Sequence, residues 1–275
     1  MAYDHLGAGA LDYLSCRYGK SKLLFRGPKR KLEGRYIAAI GGTETYGKFI
    51  PRPYPDRVEA ALGTKVVNLG CVNAGIDVFS QDQAVMEACS GAAVTVIEVP
   101  GAQNMSNRFY AVHPRRNDRF LRASTLLKSF YREVDFTEFH FTRHLLSALR
   151  AADADRFQVV EHELKEAWVA RMKALMSRID SKVVLLWLAG HRPEDCTTCS
   201  DQDRDPLYVD RAMLEAVKPY AAQVVEVVVG PQDVAAGREG MIYSDLEAPA
   251  AEEMLGVQAH QAATEALAPV LKDLL

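Results

Sequence analysis

The run Tyr36-Ile-Ala-Ala-Ile-Gly-Gly-Thr43-Glu-Thr-Tyr-Gly47 sets a hydroxyl just past a short apolar segment. If that segment is the first strand of a parallel sheet, Thr43 stands at its carboxyl tip. That is where open α/β sheets collect ligands and chemistry. Three other segments offer polar groups suited to the same edge: Asn68-Leu-Gly70, Gly101-Ala-Gln-Asn104 and His260. An alcohol has a very high pKa and needs a base within hydrogen-bond reach before it attacks a substrate; His260 is an imidazole available for that. The set defines a candidate site and leaves the substrate open.

The elements that must position these groups alternate along the chain. Arg35–Ile40, Lys65–Leu69, Ala93–Val99, Lys182–Leu188 and Gln223–Val229 are short, apolar on both faces and rich in Val and Ile. Strands covered by helices on both sides read this way. Helical stretches separate them, at Pro55–Leu62, Asp82–Cys89, Asp205–Ala221 and Ala248–Leu274, the last broken near Gly256. The alternation predicts a three-layer α/β/α sandwich around a five-stranded parallel sheet. The interval between the third and fourth strands is too long for one crossover. Its second half, Val160–Ile179, has helical spacing at Leu164, Trp168, Met172, Leu175 and Ile179. Its first half reads as a helical insertion over about 103–158, and residues 1–34 as a segment wrapping the sheet edge.

Composition bounds the function. The chain has 275 residues, 48% hydrophobic and 25% charged, with a net charge of −3. A single α/β domain with an insertion fits that length, and such a core needs neither disulfides nor metal. The charge excludes the basic footprint of general nucleic-acid binding. No apolar run approaches the roughly 18 residues of a spanning helix, and the N-terminus lacks a signal-peptide pattern. Five cysteines form no disulfide framework. The expectation is a cytoplasmic protein without cofactor or metal, acting on a small-molecule or carbohydrate partner, away from nucleic acid and membrane.

The four blocks, in their order along the chain, resemble the SGNH hydrolase superfamily, whose sheet is flavodoxin-like. Its first block is Gly-Asp-Ser; here Gly41-Gly42-Thr43 puts Thr43 where the nucleophile would be. The second block is matched at its opening by Asn68-Leu-Gly70, with Asn73 or Gly75 in the oxyanion-donor position. Gly101-Ala-Gln-Asn104 supplies the side-chain donor of the third block one place late. The last block, Asp-x-x-His, keeps His260 but has Val257 in place of the Asp. The resemblance implies an esterase or acyltransferase acting on a small or carbohydrate-linked acyl ester. Thr43 would attack, His260 would act as base, and Gly75 and Asn104 would hold the oxyanion. Two departures weigh against it. Threonine is stiffer than serine at χ1, and an imidazole without its acid loses the partner that fixes its tautomer, unless Glu253 or a backbone carbonyl takes that place.

The alternative is a non-catalytic anion- or glycan-binding protein with a degenerate site. Arg115, Arg116, Arg119 and Arg122 form a basic cluster inside the insertion. They read either as a solvated helix face paired with acids such as Asp118 or as an anion site, since guanidinium forks suit sulfate, phosphate and carboxylate. Thr43 and Thr45 read equally well as a polar turn after a strand. A flavin-phosphate loop fits less well, because Glu44 would repel phosphate. Cys196 and Cys199 have half the spacing of a zinc site, without the second pair. His140 and His144 share a helix face without a completing carboxylate.

Overall fold

The computed structural model describes residues 10–195, 204–230, 233 and 236–275. Five strands form one parallel sheet: β1 (Ile37–Ile40), β2 (Val66–Asn68), β3 (Val94–Glu98), β6 (Lys182–Ala189) and β7 (Gln223–Val228). Their order, β2-β1-β3-β6-β7, reverses direction at β1, so the crevice between the carboxyl ends of β1 and β3 is the topological switch point. Register pairs Ala39 with Asn68 on one side and with Val96 on the other. The fold is the expected three-layer α/β sandwich.

Alternation along the strands divides the core. Ile37, Ala39, Val94, Val96, Val184 and Leu186 pack against α2 (Tyr54–Leu62) and α10 (Val257–Leu274) through Tyr54, Val58, Ala259, Ala263, Leu267 and Leu271. Ala38, Ile40, Ile97, Leu185 and Trp187 face the other layer: α3 (Ile76–Ser80), α4 (Gln83–Ser90), α7 (Ala154–Met176) and α8 (Arg211–Val217). Helix starts follow local chemistry. Asp82, Asp153 and Asp210 each accept a backbone N–H of the turn they precede, a cap that contributes about 1 kcal/mol. The break near Gly256 is present: α9 (Ala248–Glu252) ends before α10 begins. The fourth crossover is shorter than the expected Asp205–Ala221, because Pro206 and the Asp210 cap delay α8 and Pro219 ends it in a single 3-10 turn.

The insertion holds the expected helices, α5 (Thr125–Phe130) and α6 (Thr142–Ala152), but opens with an antiparallel hairpin, β4 (Tyr110–His113) and β5 (Arg116–Ala123). Arg116, Arg119 and Arg122 therefore lie on a strand and not on a helix face. Val112, Phe120 and Ala123 face the core together with the buried Asn117, while Arg116, Arg119 and Arg122 are exposed. Helix α7 then clamps the loop after β3. The fully buried Trp168 donates from Nε1 to the Pro100 carbonyl at 2.8 Å, and Arg171 pairs with the buried Asp77 while donating to the Ser106 carbonyl at 2.7 Å. Burying such an aromatic contributes about 1.5–3 kcal/mol, so the Pro100–Ser106 loop is anchored to the core.

The N-terminal segment bonds to the loop that follows the first strand. Arg26 donates to the carbonyls of Gly47 (2.5 Å) and Pro51 (2.9 Å), and the Phe49 N–H donates to the Tyr13 hydroxyl at 3.0 Å. Among the described residues, no helix is long and apolar enough to cross a membrane.

Candidate functional site

After β1 the chain passes Gly41 and Gly42 and enters a single turn, α1 (Thr43–Tyr46). Gly41 has no room for a side chain: an added Cβ would overlap the Thr45 hydroxyl and the Glu98 carboxylate. The Thr43 hydroxyl lies at the carboxyl end of the sheet, half-buried. It accepts the Asn73 N–H at 3.1 Å and donates to the Asn73 Oδ1 at 3.2 Å. Asn73 has φ +55, a conformation asparagine tolerates better than most residues. Its Nδ2 faces the Asp118 carboxylate at 3.4 Å.

Asn104 joins the same frame. Its Nδ2 donates to the Asn73 carbonyl at 3.2 Å, and its Oδ1 accepts from the buried Thr142 hydroxyl at 2.7 Å. Gly75 packs directly on Asn104, where a Cβ would overlap the Asn104 carbonyl oxygen. The Gly75 N–H, the expected oxyanion donor, is spent inside the protein. It donates to the Asn117 Oδ1 at 3.2 Å, which also accepts from Val78 N–H at 3.0 Å. Thr43, Asn73, Gly75 and Asn104 thus come together as one frame.

His260 reaches this frame through a neighbour of Thr43. Its ring is fully buried in α10. Nδ1 accepts the Tyr54 N–H at 3.2 Å, so the ring proton sits at Nε2, which lies 3.3 Å from the Glu44 Oε2. The imidazole stacks on the Tyr54 ring at 6.3 Å between centroids. The acid that faces it is Glu44, in place of the expected Glu253 or a carbonyl. The other Glu44 oxygen accepts the Leu255 N–H at 3.4 Å, just before α10.

A second carboxylate lies below the turn. Glu98 ends β3 on the face shared with α2 and α10. It accepts the Thr45 N–H at 2.8 Å and the Thr45 hydroxyl, which is also 2.9 Å from the Tyr54 hydroxyl. Burial pushes the Glu98 carboxyl up to about 7, with the Glu44 charge adding to the rise; the hydrogen bonds from Thr45 and the Gly42 N–H oppose it.

A family model described as Domain of unknown function (DUF6473) matches residues 1–275. The chain belongs to this family. No curated protein matches it. Among solved structures, the DUF6473 chain is similar to the lipase Lip_vut3 from goat rumen metagenome, at 16% identity and TM-score 0.42, over 85% of this chain and 96% of that one. It is also similar to a variant of Axe2, an acetyl-xylooligosaccharide esterase from Geobacillus stearmophilus. There the identity is 13% and the TM-score 0.41, over 88% of this chain and 94% of the esterase. The strand order above defines the fold of the DUF6473 chain independently of both.

On the hairpin, the exposed Arg115, Arg116, Arg119 and Arg122 have no ion-pair partner among the described residues. Asp118, their expected acid, faces Asn73; Arg119 lies over the Phe141 ring at 5.6 Å. His144 packs edge-on against Phe139 at 5.0 Å, and no group of metal-ligating side chains forms among the described residues. Cys196 and Cys199 lie outside the described residues, whereas Cys16, Cys71 and Cys89 are free thiols. The residues that sequence reasoning missed are Glu98, Glu44 as the partner of His260, and Asn117. Glu98 left one signal, a carboxylate at the end of the strand Val94-Thr-Val-Ile-Glu98.

Proposed function

We propose that the protein binds a small anionic ligand, carbohydrate-linked or free, at the carboxyl end of the sheet. Thr43, Asn73 and Asn104 form its polar floor, and Arg115, Arg116 and Arg119 take the anionic group. The observation that carries this reading is the division of labour between Thr43 and His260. The hydroxyl is engaged with Asn73, and the buried imidazole spends one nitrogen on the Tyr54 N–H and faces Glu44 with the other. In this arrangement no hydrogen bond joins the imidazole to the Thr43 hydroxyl, and Nε2 faces Glu44. The unpaired arginines stand on a hairpin bonded to the frame through Asp118–Asn73 and Asn117–Gly75. Guanidinium forks match sulfate, phosphate and carboxylate oxygens in pairs.

One observation favours a second reading, acyl-ester hydrolysis or transfer. Thr43, Asn73, Gly75 and Asn104 lie together in one frame, and turning Glu44 aside would free the His260 Nε2 toward it. Calorimetric titration with glucose 6-phosphate, glucosamine 6-sulfate and glucose, beside turnover of p-nitrophenyl acetate, separates the two. Binding is expected for the charged sugars and not for glucose, with no turnover above a Thr43→Ala control. Turnover that disappears in both Thr43→Ala and His260→Ala would overturn the binding reading in favour of the acyl one.

A further inference from the structure

We propose that Glu98 is the positioning residue of this site, and that one proton held in its cluster with Glu44 sets how firmly the Thr43–Tyr46 turn is closed. The proposal rests on the reading of that turn as part of the ligand site. The geometry begins with Gly41, which lacks the side chain that would separate the Thr45 hydroxyl from the Glu98 carboxylate. Glu98 thereby takes the Thr45 N–H and hydroxyl at the start of a turn that has no side-chain cap of its own. It substitutes for a cap from a different strand, fixing the turn whose first residue presents its hydroxyl to Asn73.

The groups around it decide how a proton matters. Glu44 approaches from α1 itself, the Tyr54 hydroxyl from α2 through Thr45, and His260 from α10 against Glu44. Two carboxylates in one water-poor cluster disfavour double ionisation. The carboxyl at Glu98 is accordingly raised, by burial first and by Glu44 second. When the turn opens, Glu98 meets water and returns to an ordinary acidity. The closed form therefore holds the proton more tightly than the open one, and by linkage the proton favours closure. Loss of that proton leaves a buried charge beside Glu44 and loosens the turn. Thr45 is not replaceable by a merely bulky residue in this scheme, because its hydroxyl bridges Glu98 to Tyr54.

Amide hydrogen exchange across residues 42–47 of the whole ligand-free protein tests this without reference to any ligand. After correction for intrinsic exchange, wild-type protection is expected to fall at least about tenfold from pH 5.5 to pH 8.5, one pKa unit being a tenfold change. Glu98→Gln, uncharged and of the same size, should show flat protection over that range, and Glu44→Gln should move the midpoint to lower pH. Wild-type protection that does not change with pH, or a Glu98→Gln protein that keeps the wild-type profile, would overturn the proposal. Should Glu98→Gln fail to fold, 13C-carboxyl NMR of glutamate-labelled wild type decides. A carboxyl titrating near pH 7 in step with the exchange of the Thr45 amide supports it, and all carboxyls titrating below pH 5.5 defeats it. Because no ligand is present, this outcome is independent of whether the charged sugars bind.

Discussion

The Nε2 of His260 lies 3.3 Å from the Glu44 Oε2, with the Tyr54 N–H closing the other side of the ring. While the approach to Glu44 forms no hydrogen bond at Nε2, the Tyr54 N–H bond ties the last helix to α2. It makes His260 a structural joint between two ends of the chain, and it sets the expectations for its replacement.

His260→Ala should destabilise the protein by about 2–4 kcal/mol, combining a buried cavity with an orphaned Tyr54 N–H. Urea unfolding measures this. A Glu44→Gln change, which keeps an acceptor for the Leu255 N–H, should cost less than half as much.

Gly75→Ala should be the most damaging of the small substitutions, because the new methyl overlaps the Asn104 carbonyl, itself held by the anchored Pro100–Ser106 loop. A loss of at least about 2 kcal/mol, or failure to accumulate as soluble protein, is expected. Gly190→Ala is the control. Nothing lies within 4 Å of its added Cβ, so its effect should stay within about 0.5 kcal/mol.

Asn117→Ala leaves the Gly75 and Val78 N–H groups without their shared acceptor. An orphaned buried donor costs about 1–3 kcal/mol. The expected signature is faster amide exchange at those two positions, with Asn117→Asp retaining protection because it keeps the acceptor oxygen.

The pH dependence of stability has a definite sign. Glu98 has an ordinary value of 4.5 and a folded value of about 7. Below about pH 4.5 both folded and unfolded chains carry the proton. Between the two values only the folded chain does, so stability falls as pH rises through that window, and the whole loss is present above about pH 7. The shift corresponds to about 3 kcal/mol at most. Chemical denaturation at pH 5 and pH 8 should show the difference in wild type, and Glu98→Gln should remove most of it.

Replacing Arg115, Arg116 and Arg119 together by alanine should weaken binding of the charged sugars about tenfold to hundredfold, the range set by losing one or two hydrogen bonds to a charged group. Added salt should weaken wild-type binding and leave the triple variant nearly unaffected. Equal affinity of the two proteins would remove the arginines from the site.

Much of this molecule is legible in its sequence. Apolar segments with Val and Ile on both faces determined a parallel sheet; four of its strands are buried on both faces, while β7 leaves Glu226 and Val228 exposed. The glycines after Ile40 and the asparagines after the second and third strands marked the switch-point edge. The frame of Thr43, Asn73, Gly75 and Asn104 follows from those positions, since each lies within a few residues of a strand end. The hairpin was hidden because Arg115-Arg-Asn-Asp-Arg119 has the charge of a solvated surface, and the buried positions of β5, Asn117, Phe120 and Ala123, do not alternate with period two.

What the tertiary structure alone decided is the chemistry of the acids and the histidine. Periodicity assigns His260 to a helix and Glu98 to a strand, yet hydrogen-bond partners depend on distances between residues 44, 98 and 260, which chain order does not set. Packing α10 against α2 turned the imidazole inward to Tyr54 and Glu44. Ending β3 beneath the Thr43 turn buried Glu98 among donors and beside a like charge. The sequence determined which groups reach the edge of the sheet; the three-dimensional packing determined which of them face one another.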